Sequence, residues 1–124
     1  MKNVMVVDDD PGVLNTIDLV LRRHGYTVVK APNGHLCLEH LRQGFRGVVL
    51  MDIMMPGLTG WETIREIIAA NLLDNILVCM LTAKASPGTE GEGLEEFVFD
   101  YLPKPFDNVE LMSMLDNAIE CLEP

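Results

Sequence analysis

The stretch Val48-Val49-Leu50-Met51-Asp52-Ile53-Met54-Met55-Pro56-Gly57 sets the frame of this chain. Val48 to Asp52 is a short apolar run closed by an acid, the pattern of a strand buried on both faces. Pro56 and Gly57 then stop regular structure. A carboxylate at the end of a buried strand is costly unless something pairs with it. In open parallel α/β sheets, ligands bind at that end of the strands. Asp52 is therefore the first candidate for chemistry, with simple capping of the loop as the alternative.

Upstream, Val4 to Val7 read as a strand ending in three acids, Asp8, Asp9 and Asp10. Asp10-Pro11 opens a helix: an Asp N-cap, then Pro at the first helical position. Val13, Leu14, Ile17, Val20, Leu21 and His24 recur at helical spacing and predict one apolar face, which Gly25 ends. Tyr26 to Lys30 reads as the second strand. Asn33 caps a second helix that carries Leu36, Cys37, Leu38 and Leu41 and closes at Gly44.

Downstream, Thr59-Gly60-Trp61-Glu62 fits a capping box for a third helix with Ile64, Ile67 and Ile68 inward. Trp61 is expected to pack at its start. Ile76 to Leu81 is the fourth strand and ends at Thr82. Lys84 to Gly93 holds Pro87, Gly88, Gly91 and Gly93. Each Gly costs a helix ~1 kcal/mol relative to Ala, so a short or mobile fourth helix is expected, with Leu94 to Phe97 as its last turn. Val98 to Leu102 is the fifth strand. After Pro103-Lys104-Pro105-Phe106, Asp107 and Glu110 cap a last helix whose apolar face is Leu111, Met114, Leu115, Ala118 and Leu122.

Five short strand–helix units imply a parallel α/β sheet with helices on both faces. Right-handed crossovers bring every strand-to-helix loop to one edge. The 124 residues are expected to form a single domain, 1–124, with no second domain visible. That fits either a stand-alone protein or a fragment of a longer chain. Apolar content is 48%, and no run approaches the ~20 residues that cross a bilayer. Met1-Lys2-Asn3 lacks a signal-peptide layout, so the cytoplasm is expected. A net charge of −10 argues against direct contact with nucleic acid. Cys37, Cys79 and Cys121 form no metal or disulfide pattern, and each lies in an apolar stretch that predicts a buried free thiol. The spacing of His24, His35 and His40 matches no familiar zinc motif.

The loops at the common edge carry Asp8-Asp9-Asp10, Asp52, Thr82 and Lys104. Clustered carboxylates repel one another unless a cation neutralises them. A hard divalent ion with oxygen ligands, Mg²⁺, is the natural partner, with Asp9 and Asp52 as the best ligands and Asp8 in support. Beside such an ion Asp52 can attack phosphorus and form an acyl phosphate. Thr82 can donate to a phosphoryl oxygen, and Lys104 can pair with another. Taken singly, Asp10 reads as a helix cap, Thr82 as a strand end and Lys104 as a solvated loop lysine. Their joint placement at successive strand ends points to one pocket.

These pieces resemble the receiver domain of two-component response regulators. The matching stretches are Val6-Val7-Asp8-Asp9-Asp10, Met51 to Pro56 with Gly60, Leu81-Thr82-Ala83, and Asp100-Tyr101-Leu102-Pro103-Lys104-Pro105-Phe106. The resemblance implies a flavodoxin-like three-layer (βα)5 fold with strand order 2-1-3-4-5. It implies that Asp52 accepts a phosphoryl group from a sensor histidine kinase or phosphotransfer protein. Asp8, Asp9, Asp52 and the main-chain carbonyl of Met54 would hold Mg²⁺. Thr82 and Tyr101 would be a switch pair: Thr82 moves toward the phosphoryl group and Tyr101 turns inward. The helix 4–strand 5–helix 5 face would then repack to change partner binding, whether with itself in a homodimer or with a downstream protein. A cis bond at Lys104-Pro105 is also common in the family. Phe97-Val98 departs from the usual Gly-Ala pair before the fifth strand. In the family the residues two after the acceptor and two after the threonine tune access of water. Here they are Met54 and Lys84, which suggests a long-lived acyl phosphate.

Such a chain would be a signalling module rather than a metabolic enzyme, limited to its own phosphorylation and dephosphorylation. Two other readings compete with this one. A small-molecule phosphatase working through an aspartyl phosphate wants Asp-x-Asp-x-Thr/Val after the first strand, and Asp8-Asp9-Asp10-Pro11-Gly12 lacks the last residue. A flavin binder wants a phosphate loop there, and an Asp triplet repels phosphate.

Overall fold

The computed structural model describes residues 2–83 and 93–122. In chain order these form β1 (Asn3–Val7), α1 (Pro11–Arg23), β2 (Thr27–Ala31), α2 (Gly34–Arg42), β3 (Gly47–Asp52) and α3 (Gly60–Ala69). There follow β4 (Ile76–Thr82), a 3-10 turn (Glu95–Phe97), β5 (Val98–Pro103) and α4 (Asn108–Leu122). All strand pairs are parallel, in the order β2-β1-β3-β4-β5. The sheet thus has the order that the resemblance implied.

Strand alternation divides the core into two layers. Val4, Val6, Val48, Leu50, Cys79 and Leu81 face α1 and α4. Met5, Val7, Val49, Met51, Val78 and Met80 face α2 and α3. β3 is buried at all six positions, so its apolar run reads as a central strand for a physical reason: both faces are covered. Helix starts are set by local chemistry. Asp10 accepts from the Gly12 amide and Asn33 from the Leu36 amide. Thr59 and Glu62 close a reciprocal capping box, and Asp107 and Glu110 close another.

Four expectations need correction or limits. The expected short or mobile fourth helix lies mostly over residues 84–92, outside the described residues. What is described of that crossover is one 3-10 turn, so the helix expected as the fifth is α4. His24 is not on the apolar face of α1; it is the C-cap, exposed, with its ring Nδ1 2.9 Å from the Val20 carbonyl. Leu36 is 41% exposed because the buried stripe of α2 runs Gly34, Cys37, Leu38 and Leu41, at i, i+3, i+4 and i+7. Cys121 is exposed for the same reason: the α4 stripe passes through Ala118 and Ile119 and leaves it outside. Cys37 and Cys79 are buried free thiols, and burial pushes both up to about 12.

Candidate functional site

Register explains how four strand ends meet. Val7 pairs with Met51, Asp52 with Leu81, and Thr82 with Pro103. Asp8 therefore follows β1 at the level of Asp52, Thr82 lies one residue beyond, and Lys104 one beyond that. Each step along a strand is ~3.3 Å, so the four side chains share one small volume.

The main chain holds this arrangement past the last ladder bonds. The Asp8 amide donates to the Ala31 carbonyl at 3.2 Å, and the Lys104 amide donates to the Thr82 carbonyl at 2.6 Å. The Lys104-Pro105 peptide is cis. Asp8 is buried. Its Oδ1 accepts from the Asp10 amide at 2.9 Å, and its Oδ2 accepts from Lys104 Nζ at 3.2 Å. Asp52 is also buried, and its Oδ1 accepts from Lys104 Nζ at 3.4 Å. Asp9 is exposed. Asp8, Asp9 and Asp52 each bring a carboxylate oxygen within 4.8 Å of the others. Asp10 turns its carboxylate to the first turn of α1, as an N-cap should. Thr82 is buried at the end of β4. The Met54 side chain points to solvent, 67% exposed.

Three carboxylates face one ammonium. Burial raises the pKa of Asp52 first, the neighbouring Asp8 charge raises it further, and Lys104 only partly offsets them. For Lys104, burial pulls its pKa down, but Asp52 and Asp8 together outweigh burial and leave it raised. The acids thus hold excess negative charge that one lysine does not cancel. An oxygen-rich, net-anionic cluster of this size suits a hard divalent ion.

Tyr101 lies on β5 with its hydroxyl buried and, among the described residues, without a hydrogen-bond partner. Its ring centroid is 6.3 Å from that of Trp61, which is buried at the start of α3 as expected. Burial, then the Glu95 charge, raises its pKa. Lys84 lies outside the described residues.

Gly60 has a structural role that its sequence context did not reveal. Its amide donates to the Ile53 carbonyl at 2.8 Å. A Cβ there would sit 2.5 Å from the Asp52 carbonyl oxygen and 2.9 Å from Ile53 Cα. The close approach pins the loop that follows the acid. The hints to it in the sequence are a glycine placed inside a capping box and its match to the receiver pattern along with Met51 to Pro56. Beside the acids an apolar groove of about 520 Å³ opens, walled by Val13, Ile17, Phe106 and Leu111 and reaching Asp10 and Lys104.

Comparison with known proteins accords with this geometry. Residues 4–116 match the family model described as the response regulator receiver domain. The chain is 36% identical over 115 residues to a transcriptional regulatory protein CpxR homolog of Haemophilus influenzae, covering 93% of this chain and 49% of that protein. It spans about half of that relative's length. It is 34% identical to Protein PilH of Pseudomonas aeruginosa, covering 96% of this chain and 98% of PilH. Among solved structures, a CheY-like receiver domain protein from Methanospirillum hungatei superposes with a TM-score of 0.93 at 42% identity, over 98% of this chain and 96% of that one. The receiver domain of sensor histidine kinase PA1611 of Pseudomonas aeruginosa has a magnesium ion coordinated in its active site cleft. It superposes with a TM-score of 0.84 at 31% identity, over 96% of this chain and 98% of its own.

Proposed function

The chain belongs to the response regulator receiver domain family, and from that premise we propose that it is a switch thrown by phosphorylation of Asp52. Phosphorylation-dependent switching in two-component systems is the family's general function. The observation that carries the assignment to particular residues is the cluster itself: Asp8, Asp9 and Asp52 within 4.8 Å, with Lys104 bonded to the first and last.

Asp8, Asp9, Asp52 and the Met54 main-chain carbonyl would hold Mg²⁺. When bound, that ion supplies charge neutralisation and orientation for the incoming phosphoryl group. The magnesium in the PA1611 receiver supports this reading. Asp52 attacks phosphorus in line as the P–N bond to the donor histidine breaks, and the new Oδ–P bond makes an acyl phosphate. Lys104 shifts from Asp52 to a phosphoryl oxygen, and the Thr82 hydroxyl donates to another. The sensor kinase or phosphotransfer protein uses the apolar groove beside Asp10 and Lys104 to approach the acids. Thr82 moves toward the phosphoryl group. Tyr101, expected to turn inward at that step, has its hydroxyl buried near Trp61 before any phosphorylation, so the step holds it inward rather than turning it. The face made by the fourth crossover, β5 and α4 then repacks, a two-state element biased by local charge. In this reading the chain is one receiver domain over residues 1–124. It catalyses nothing beyond its own phosphorylation and dephosphorylation.

Intact-protein mass spectrometry after treatment with acetyl phosphate tests this. A Mg²⁺-dependent gain of about 80 Da, one PO₃H group, is expected in the wild type and absent from Asp52→Asn. A gain that persists in the variant would refute the acceptor assignment.

A further inference from the structure

Charge is unevenly divided along the chain. Residues 85–124 carry ten acids and one base, whereas residues 1–84 carry nine acids and eight bases. Nearly all of the net −10 therefore belongs to the last third. The single base there, Lys104, is already engaged with Asp8 and Asp52.

In the fold, that third presents the outer strand β5 and the helix α4 that packs on the sheet. Glu95, Glu96, Asp100, Asp107 and Glu110 are exposed along it. Between β5 and α4 lies a groove of about 350 Å³ whose walls include Asp100, Leu102, Val109, Glu110 and Met114. Val109 is 77% exposed, more than any other large apolar side chain among the described residues. An apolar side chain at the wall of a groove flanked by acids fits an apolar anchor flanked by bases.

Charge decides between the occupants. A second copy pairing through this face about a two-fold axis would set the acids against their own images. Like-charge juxtapositions of that kind cost several kcal/mol, and no Lys or Arg among the described residues of the face is free to answer them. Nucleic acid and anionic membrane are repelled on the same ground. A protein segment rich in Lys and Arg is attracted to the whole face at once.

We infer that the β5–α4 face docks a Lys/Arg-rich segment of a partner protein, with an apolar side chain seated at Val109, and does not pair with a second copy. The inference rests on the receiver reading, which makes this face the output surface, and adds the chemistry of what binds there.

The test titrates the ¹⁵N-labelled full chain with a synthetic peptide that alternates Leu with Arg and Lys, and with a control peptide bearing Glu at every basic position. Both are run with and without Mg²⁺ and beryllofluoride, and sedimentation reads association in the same buffers. The basic peptide is expected to shift the resonances of Asp100, Val109, Glu110 and Ser113. Its affinity falls about tenfold as the screening length shrinks from about 30 Å at low salt to about 8 Å at physiological salt. It also falls about tenfold in Asp100→Lys/Glu110→Lys. Asp100→Asn/Glu110→Gln, which keeps shape and hydrogen bonding, gives an intermediate loss and guards against misfolding of the reversed variant. The Glu peptide leaves the spectrum unchanged, and the chain sediments as a monomer. A dimer whose interface maps to Val109, peptide shifts centred elsewhere, equal binding of both peptides, or no binding would each overturn the inference. Docking of the basic peptide to a chain that acetyl phosphate and Mg²⁺ fail to label at Asp52 would refute the proposed function alone. Phosphorylation without docking would refute this inference alone.

Discussion

Replacing Asp52 by Asn should make the metal-free protein more stable at neutral pH. Asp52 has Asp8 and Asp9 oxygens within 4.8 Å and Lys104 Nζ at 3.4 Å. With an effective dielectric of about 20, each repulsion is about 3–4 kcal/mol and the attraction about 5 kcal/mol. Solvent screens the exposed Asp9 and weakens its share. The balance is up to about 2 kcal/mol against ionised Asp52, before the cost of burying the charge. Burial, followed by Asp8, is also what raises the pKa of Asp52. The neutral amide keeps the shape and removes these costs, so a gain of about 1–3 kcal/mol is expected, or roughly 3–12 °C in Tm. The pH dependence has a defined sign. An acid whose folded pKa is raised binds its proton more tightly in the folded state. Its favourable contribution is complete below the unfolded carboxylate pKa of about 3.9 and is lost as pH rises through the folded value. The advantage of Asp52→Asn should therefore vanish in acid and grow toward neutrality. Mg²⁺ should narrow it by stabilising the wild type more. Urea denaturation of both proteins across pH, with and without Mg²⁺, reads all three features. A variant less stable than wild type in metal-free neutral buffer, or a gap that widens in acid, would show that the ionised Asp52 is not held against net repulsion.

Other expectations follow from single contacts. Lys104→Met removes the cation that competes for Asp8 and Asp52, so calorimetry should show Mg²⁺ binding about fivefold or more tighter; weaker binding would count against the site. Gly60→Ala drives a Cβ to 2.5 Å from the Asp52 carbonyl and should cost about 1–3 kcal/mol in denaturant unfolding. Thr59→Ala removes one half of a capping box and should cost about 1 kcal/mol in the same assay. Met54→Asn places a hydrogen-bonding side chain at an exposed position two after the acceptor, and the acyl phosphate should then decay faster; an unchanged half-life would argue against water access as the control.

What could be read from sequence depended on how local the signal was. The β3 run Val48 to Asp52 is apolar throughout because both faces are covered, so the strand and its acid were legible at once. Asp10-Pro11, Asn33 and the Thr59–Glu62 pair marked helix starts because capping is a contact within three residues. His24, Leu36 and Cys121 misled because local apolar composition hides helical phase: one residue off the stripe is enough to turn a side chain to solvent. Asp8, Asp9, Asp52, Thr82 and Lys104 were nameable because parallel crossovers bring strand ends to one edge, whereas Tyr101 and the Met54 carbonyl came only from the resemblance. Two features were not legible. That Lys104 bonds both Asp8 and Asp52 depends on register between β1, β3, β4 and β5, which no local pattern encodes. The burial of the Tyr101 hydroxyl near Trp61 joins residues forty positions apart on different elements.

In the proposed switch one carboxylate, Asp52, carries the phosphoryl group. Borohydride reduces an acyl phosphate of Asp to homoserine, so treating the acetyl phosphate-labelled protein and sequencing its peptides by tandem mass spectrometry reads the acceptor directly. Homoserine in place of Asp52, dependent on Mg²⁺, is the predicted result. Homoserine in place of Asp8 or Asp9 would rule out Asp52 as the acceptor, and labelling of Asp52 that persists with Mg²⁺ chelated would rule out the role of the ion.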